Sequence, residues 1–413
     1  MTVPRPVTAL LAVPIEAAYW SDRGAYLARL YEQHGPVVRA LLGRADVVYL
    51  LGPAANQFVL QTHRQFFSNR AGWTWVFGPL PSPPDLLTMD EPEHSVHRHI
   101  LHPAFAARRA AEYLPHIARA IDRRLATWLP RGTVDVYEEA RIMTFDVAAE
   151  LFLGLRSSEE RSLARSVLLY GDRRRANPYY DLLRRKIEER RSQGGDDALG
   201  LLARARDERG RPLDDAQIIT HADVILVAGH ETSSSLAAWT LYLLVRHPEY
   251  ASRVLDEYGR KSPIRSLADL PVLDRALREA ERLYAPVSVV PRVVVEDVGF
   301  GSCLLPAGTR VLYSAAATHL LSDLWTEPTR FDPDRFAPPR EEHKKAPYAL
   351  VGFGGGPRVC IGRSIARVEL AVFMAKALSM YQLELVPGQT IAQRYGVTNR
   401  PLRGIFMHVR RPA

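Results

Sequence analysis

The stretch that most constrains this chain is Phe353-Gly354-Gly355-Gly356-Pro357-Arg358-Val359-Cys360-Ile361-Gly362, which runs straight into Arg363-Ser364-Ile365-Ala366-Arg367-Val368-Glu369-Leu370. Three glycines and a proline exclude a helix over the first part, because glycine costs backbone entropy and proline lacks an amide donor. Ile361, Ile365, Val368 and Val372 then recur at helical spacing, which predicts a helix starting at or just after Cys360. A cysteine there would sit at the positive end of a helix dipole, beside Arg358 and Arg363. Those conditions favour thiolate over thiol. The glycines let backbone pass close to a flat, bulky group and can aim amides at the sulfur.

No second cysteine or paired histidine lies nearby, so this is not a zinc site. Two readings remain: a buried structural cysteine before an ordinary helix, or an axial thiolate for haem iron. The complete pattern Phe-x-x-Gly-x-Arg-x-Cys-x-Gly resembles the haem-binding loop of the cytochrome P450 family, and a full match is rare by chance. The resemblance implies haem b (iron protoporphyrin IX), with Cys360 on the iron and Phe353, Arg358 and Gly362 against the cofactor.

Further motifs follow in the family's order from about residue 90 to the end. Asp215 to Arg246 is one long helix signal, ended by Pro248. Its middle is apolar nearly all round, as in a buried helix, and its length is about 45 Å at 1.5 Å per residue. Inside it lies Ala228-Gly229-His230-Glu231-Thr232. Glycine costs about 1 kcal/mol in a helix interior. Either two helices cross closely there, with His and Glu satisfied, or the helix opens locally beside a ligand. The segment resembles the family's distal Ala-Gly-x-Glu-Thr, which favours the second reading. Ala228 then contacts haem, and Glu231 and Thr232 are the catalytic acid–alcohol pair that delivers protons. His230 falls at a variable position and receives no role.

Glu279 and Arg282 fit the family's Glu-x-x-Arg, and Pro333-Asp334-Arg335-Phe336 fits its Pro-x-Arg-Phe segment, with Asp334 where Glu is usual. The trio Glu279, Arg282 and Arg335 is expected to be structural. By resemblance His94 and Arg98 (His-x-x-x-Arg), Arg292 and Arg358 meet the haem propionates. Substrate contacts would come from Trp73, Trp75 and Phe77 in a proline-rich irregular stretch over 66–92, from the region 171–180, from Val289 and Val290, and from Val397 in a late turn. These are mainly apolar or aromatic, so an apolar substrate is expected.

The expected fold is mainly α with a smaller β region (α+β), the P450 fold with a long central helix over haem. It is a single domain over 1–413, with its β-rich lobe at 35–62, 293–312 and the C-terminal strands. Residues 35–51 read as a hairpin turning at Gly43-Arg44-Ala45-Asp46, and 54–62 as a helix. Two cysteines, Cys303 and Cys360, are too few for a disulfide framework and suit a reducing compartment. The one apolar run near the start, Ala9 to Val13, is stopped by Pro14, too short to span a bilayer. A cytoplasmic protein of the soluble prokaryotic type, without a membrane anchor, is expected.

The net charge is +8 with no nucleic-acid motif, which favours an acidic protein partner. No flavin or iron–sulfur motif is fused to the chain, so the monooxygenase implied by the resemblance needs O2 and two electrons from a separate partner. A basic proximal face of Arg98, His102, Arg108, Arg109, Arg363 and Arg367 would steer an acidic ferredoxin or flavodoxin. Two alternatives use the same fold: a hydrogen peroxide-driven peroxygenase, and a non-enzymatic haem sensor or electron carrier. The first tends to replace the acid–alcohol pair by Arg-Pro, and the second has no need of Thr232.

Overall fold

Gly43 and Arg44 turn the chain between strands Val37–Leu42 and Ala45–Leu50, so the expected hairpin forms. Along the second strand the side chains alternate between two buried clusters. Val48 and Leu50 join Phe58, Val294 and Val311, whereas Val47, Tyr49 and Leu51 join Leu27, Leu30 and Leu312. Alternation with both faces apolar means a sheet covered on both sides.

The computed structural model describes residues 5–207, 210–261 and 267–412. The sheet runs Val13–Pro14, Val37–Leu42, Ala45–Leu50, Arg310–Ser314, Val289–Val294, Phe67–Ser68. It belongs to the first of two compact units, formed by Met1–Leu80, Arg275–Cys360 and Ile391–Leu402. The second unit comprises Pro81–Asp274, Ile361–Thr390 and Arg403–Ala413. It carries most of the helices and a small sheet of Gln382–Leu385, Phe406–Arg410 and Thr133–Asp135. The architecture is therefore mainly helical with small sheets.

The stretch 66–92 is not irregular throughout. Phe67–Ser68 pairs with Val289–Val294, and Ser68 then caps a helix, Asn69–Phe77, by accepting from the Ala71 amide at 3.0 Å. Ser at an N-cap and aromatics at i,i+4 are helix signals, outweighed in the sequence by the prolines that begin only at Pro79. Trp73, Trp75 and Phe77 therefore lie on a helix, not a loop.

In the second unit the long helix has the bounds expected of it, Asp215–Arg246. Asp214 caps it by accepting from the Gln217 amide at 2.7 Å, and the chain leaves it at His247 before Pro248. The helix continues unbroken through Gly229, so the local opening is not present. A Cβ on Gly229 would meet the Ala148 Cβ at 3.5 Å, an ordinary contact, so a close helix crossing does not require this glycine either. Burial is incomplete: Val227 is 41% exposed and Ala228 is exposed beside it.

Glu279, Arg282 and Arg335 meet in the interior of the first unit, each with no exposed side-chain surface. Arg282 donates to both Glu279 oxygens, from Nε at 2.8 Å and Nη2 at 2.7 Å. Arg335 donates to Glu279 Oε1 at 3.0 Å, and through Nη1 to Glu342 at 2.7 Å, a second buried acid that the sequence did not single out. Burial by itself would raise the Glu342 pKa, but Arg340, the Thr326 amide and Arg335 hold it down to about 2.

His319, also missed in the sequence, links this cluster to the cysteine loop. Its Nδ1 donates to the Arg282 carbonyl at 3.2 Å, and its Nε2 accepts from the Val351 amide at 3.0 Å. Burial, then the nearby Arg282 charge, lowers its pKa to about 3, so the ring is neutral and keeps this one tautomer. Replacing Glu279 by Gln leaves two buried guanidiniums short of a charge partner. It is expected to cost about 3–5 kcal/mol in denaturant unfolding, whereas Glu327→Gln, in an exposed pair, should cost under about 1 kcal/mol.

Candidate active site

The cysteine loop closes on itself. The Gly354 amide donates to the Val351 carbonyl at 2.8 Å, and the Cys360 amide to the Phe353 carbonyl at 2.8 Å. These bonds hold Cys360 exposed at the end of the loop, while Cys303 is buried in a strand. The helix starts later than expected, at Arg363 with Gly362 as its N-cap, because Ile361 and Gly362 form a turn first. Cys360 thus precedes the first turn of the helix instead of occupying it.

Neighbouring protein groups account for two of the glycines. Gly356 has φ +60°, and a Cβ there would run into the Leu60 carbonyl; at Gly355 it would run into the Tyr348 ring. Gly356→Ala is expected to displace the loop and lower the haem-to-protein ratio several-fold while leaving the far-ultraviolet circular dichroism unchanged.

Arg292, named from the sequence, stands over Tyr313 in the same unit, and the charge of Arg358, also named, acts on that tyrosine. The Arg292 guanidinium stands 5.4 Å from the ring centroid. Burial raises the Tyr313 pKa, and the charges of Arg292 and Arg358 oppose that rise. Tyr313 was not legible as a site residue, because nothing marks one tyrosine in a strand as the residue on which two distant arginines act.

In the second unit His94 and Arg98 lie one turn apart on the helix Glu93–Phe105. His94 is buried and its Nδ1 is 3.0 Å from Glu91 Oε1. On the long helix the Thr232 hydroxyl donates to the Ala228 carbonyl at 2.7 Å, close to exposed Val227 and Ala228. Glu231 turns toward the helix Val136–Leu153. Its Oε2 accepts from the Tyr137 hydroxyl at 3.1 Å, and its Oε1 from Arg141 at 3.3 Å, with His230 Nε2 at 3.2 Å. The other His230 nitrogen, Nδ1, donates to the Leu226 carbonyl at 2.7 Å.

Burial pushes the Glu231 pKa up, but His230, Arg141 and Tyr137 outweigh it and hold the acid at about 2. A carboxyl depressed in the fold stabilises above its ordinary 4.5 and loses that contribution as pH falls toward 2. Glu231→Gln should therefore narrow the stability difference measured by urea unfolding between pH 6 and pH 3. Tyr137 and Arg141 carry no sequence signal, since they sit about ninety residues away.

The residues expected at substrate fall in three places in the first unit. Trp73 is buried and stacks on Phe77, with centroids 5.3 Å apart, while Phe77 is 52% exposed. Trp75 and Val289 pack on one buried cluster of the sheet, and Val290 on the other. Val397 is exposed in the turn between Gln393–Arg394 and Arg400–Pro401. Of the six basic residues expected on one face, Arg109 pairs with Glu112 and Arg367 with Asp274. Arg98 is half-buried, and His102, Arg108 and Arg363 are exposed. Among the described residues no helix is long and apolar enough to cross a membrane.

The first unit thus offers an exposed cysteine sulfur on a self-closed loop and two guanidiniums that act on one tyrosine. The second offers an apolar exposed step in the middle of a largely interior helix, beside a hydroxyl. The sulfur and guanidiniums of the first unit fit a group with a metal centre and acidic edges, and the exposed step of the second unit, taken by itself, fits an apolar face. The Cytochrome P450 family model matches residues 4–171 and 170–404. The Mycobacterium tuberculosis protein named as P450 136 is 32% identical over 388 residues, covering 87% of this chain and 78% of its own. Cyclooctat-9-en-7-ol 5-monooxygenase of Streptomyces melanosporofaciens is 31% identical over 408 residues, covering 91% of this chain and 88% of its own. The solved structure of a cyanobacterial P450 with retinoic acid bound superposes with a TM-score of 0.84 at 27% identity, covering 100% of both chains. The chain belongs to the cytochrome P450 family, as a P450 monooxygenase whose cofactor is haem with a cysteine thiolate ligand.

Proposed function

We propose that this P450 oxidises an apolar terpenoid, by hydroxylation or a related oxidation, with dioxygen and two electrons from a separate acidic ferredoxin or flavodoxin. The terpenoid assignment draws on the similarity to a monooxygenase named for cyclooctat-9-en-7-ol. The single observation that carries the monooxygenase reading over its alternatives is the placing of Thr232. Its hydroxyl lies beside the exposed Val227 and Ala228, one residue from an acid that accepts from Tyr137 and Arg141. A peroxygenase or an electron carrier has no use for that pair.

In this reading Cys360 holds the iron through its thiolate, with Phe353 and Gly362 shaping the loop and Ala228 against the macrocycle. His94, Arg98, Arg292 and Arg358 bind the propionates. Haem, when bound, supplies the site where dioxygen is bound and reduced. The chain's own part is proton handling. Thr232 Oγ1 carries a proton that it donates to the Ala228 carbonyl, and rotation about its C–O bond redirects that proton. Glu231 is ionised at neutral pH and must release one of its donors before it can take up a proton and pass it on. Trp73, Trp75, Phe77, Val289, Val290 and Val397 supply apolar contacts for the substrate, and exposed His102, Arg108 and Arg363 the positive surface for the electron donor.

Two measurements test this. The reduced, carbon monoxide-bound wild type should show the red-shifted Soret band of thiolate-ligated haem, and Cys360→His should lose it. Thr232→Ala should keep the band but lower product formed per electron pair by at least about ten-fold, with hydrogen peroxide rising in proportion. Unchanged coupling in Thr232→Ala would remove the proton-delivery assignment.

A further inference from the structure

Asp223 lies on the long helix one turn before Val227, and nothing above uses it. Val224 and Ile225 beside it are half-buried, and Val227 and Ala228 are exposed, so Asp223 opens the accessible stretch of a helix that is otherwise largely interior. Its partners come from the helix Ala176–Gln193. The buried Tyr179 hydroxyl donates to Oδ1 at 2.7 Å, and the half-buried Tyr180 hydroxyl approaches Oδ2 at 3.4 Å. The two rings stand 5.2 Å apart.

All of these partners are neutral. Among the described residues no cation stands within ion-pair distance of Asp223, in contrast to Glu231 on the same helix. Burial raises the Asp223 pKa to about 6, with the two tyrosine hydroxyls opposing the rise. An interhelical strut would need only the short Tyr179 bond, which an amide could accept equally well. A partly accessible carboxylate whose Oδ2 accepts only the long Tyr180 bond keeps lone pairs there for a further, shorter bond.

We propose that Asp223 is a specificity-determining residue that accepts a hydrogen bond from a hydroxyl on the otherwise apolar substrate. Tyr179 fixes the carboxylate, Tyr180 borders the position the hydroxyl takes, and Val227 supplies the adjoining apolar contact. A site built to accept from a hydroxyl rejects both the hydrocarbon, which leaves the acceptor unpaired, and the ketone, which turns a second acceptor toward it. This inference rests on the proposal of an apolar substrate and narrows it to one bearing an alcohol.

The experiment compares three ligands that differ at one carbon, menthol, menthone and p-menthane, with the steroid set androstan-3-ol, androstan-3-one and androstane. Dissociation constants are read from the ligand-induced spectral shift of the ferric holoenzyme, in wild type, Asp223→Asn and Asp223→Leu. Each variant is first checked for an unchanged reduced carbon monoxide spectrum. In whichever set binds, wild type should prefer the alcohol to the hydrocarbon by at least about ten-fold, and the alcohol to the ketone. Asp223→Asn presents an amide donor where Oδ2 was, so the order of alcohol and ketone should reverse. Asp223→Leu should favour the hydrocarbon.

A strut alone would not invert a ligand order. If wild type and Asp223→Asn rank the three ligands alike, the inference is overturned while the apolar-substrate reading stands. Should only the steroid set bind, with the reversal, the terpenoid assignment fails and the hydroxyl inference holds. Failure of both sets to bind wild type overturns both.

Discussion

The buried charge cluster around Glu279 is the constraint on which the cysteine loop depends. One carboxylate is shared by two guanidiniums, and Glu342 supplies the second negative charge, so the group is neutral overall. The remaining donors end on backbone carbonyls, among them those of His319 and Pro328 from Arg282 and of Thr326 from Arg335. Taking four charges out of water costs several kcal/mol each, and their mutual attraction returns that cost only if the geometry is kept. Such a cluster adds little net stability compared with apolar packing. What it provides here is specificity: any displacement leaves a charge stranded, so the carbonyls it grips are held in place. One of these belongs to His319, whose ring accepts from the Val351 amide, two residues before Phe353.

The long helix carries two acids two turns apart with opposite behaviour. Glu231 is held at about 2 and Asp223 is raised to about 6, although burial pushes both upward. The difference lies in the partners. Glu231 faces Arg141 and His230 as well as Tyr137, so its charged form is compensated. Asp223 faces two tyrosine hydroxyls, which offer hydrogen bonds without charge. One helix thus holds an acid that stays ionised, the one proposed to relay protons, and an acid without a charged partner among the described residues, the one proposed to meet a neutral polar ligand.

Patterns carried by local periodicity or by fixed spacing were legible in the sequence. The hairpin at Val37–Leu50 and the limits of Asp215–Arg246 follow from such patterns, whereas the meeting of Glu279, Arg282 and Arg335 was implied by the family resemblance. Long-range partners were not. Glu342, His319, Tyr313, Tyr137 and Arg141 act on named residues from elsewhere in the chain, with no spacing to betray them. Local signals also misled where two competed. The prolines after Gly78 hid the helix Asn69–Phe77, and the apolar periodicity starting at Ile361 placed the helix too close to Cys360. At the Ala-Gly-x-Glu-Thr segment the backbone stays helical instead of opening, and the exposed step there comes from Val227 and Ala228.

Charge counted from the sequence overstates charge available for docking. Arg109 and Arg367 each face a carboxylate, so at distance they act as dipoles whose field decays faster than that of a free cation. At physiological ionic strength screening sets in within about 8 Å, and only charges near the docking plane and free of counter-charge contribute much to steering. Exposed His102, Arg108 and Arg363 meet the exposure condition. A surface with few strong cations steers an acidic partner only weakly.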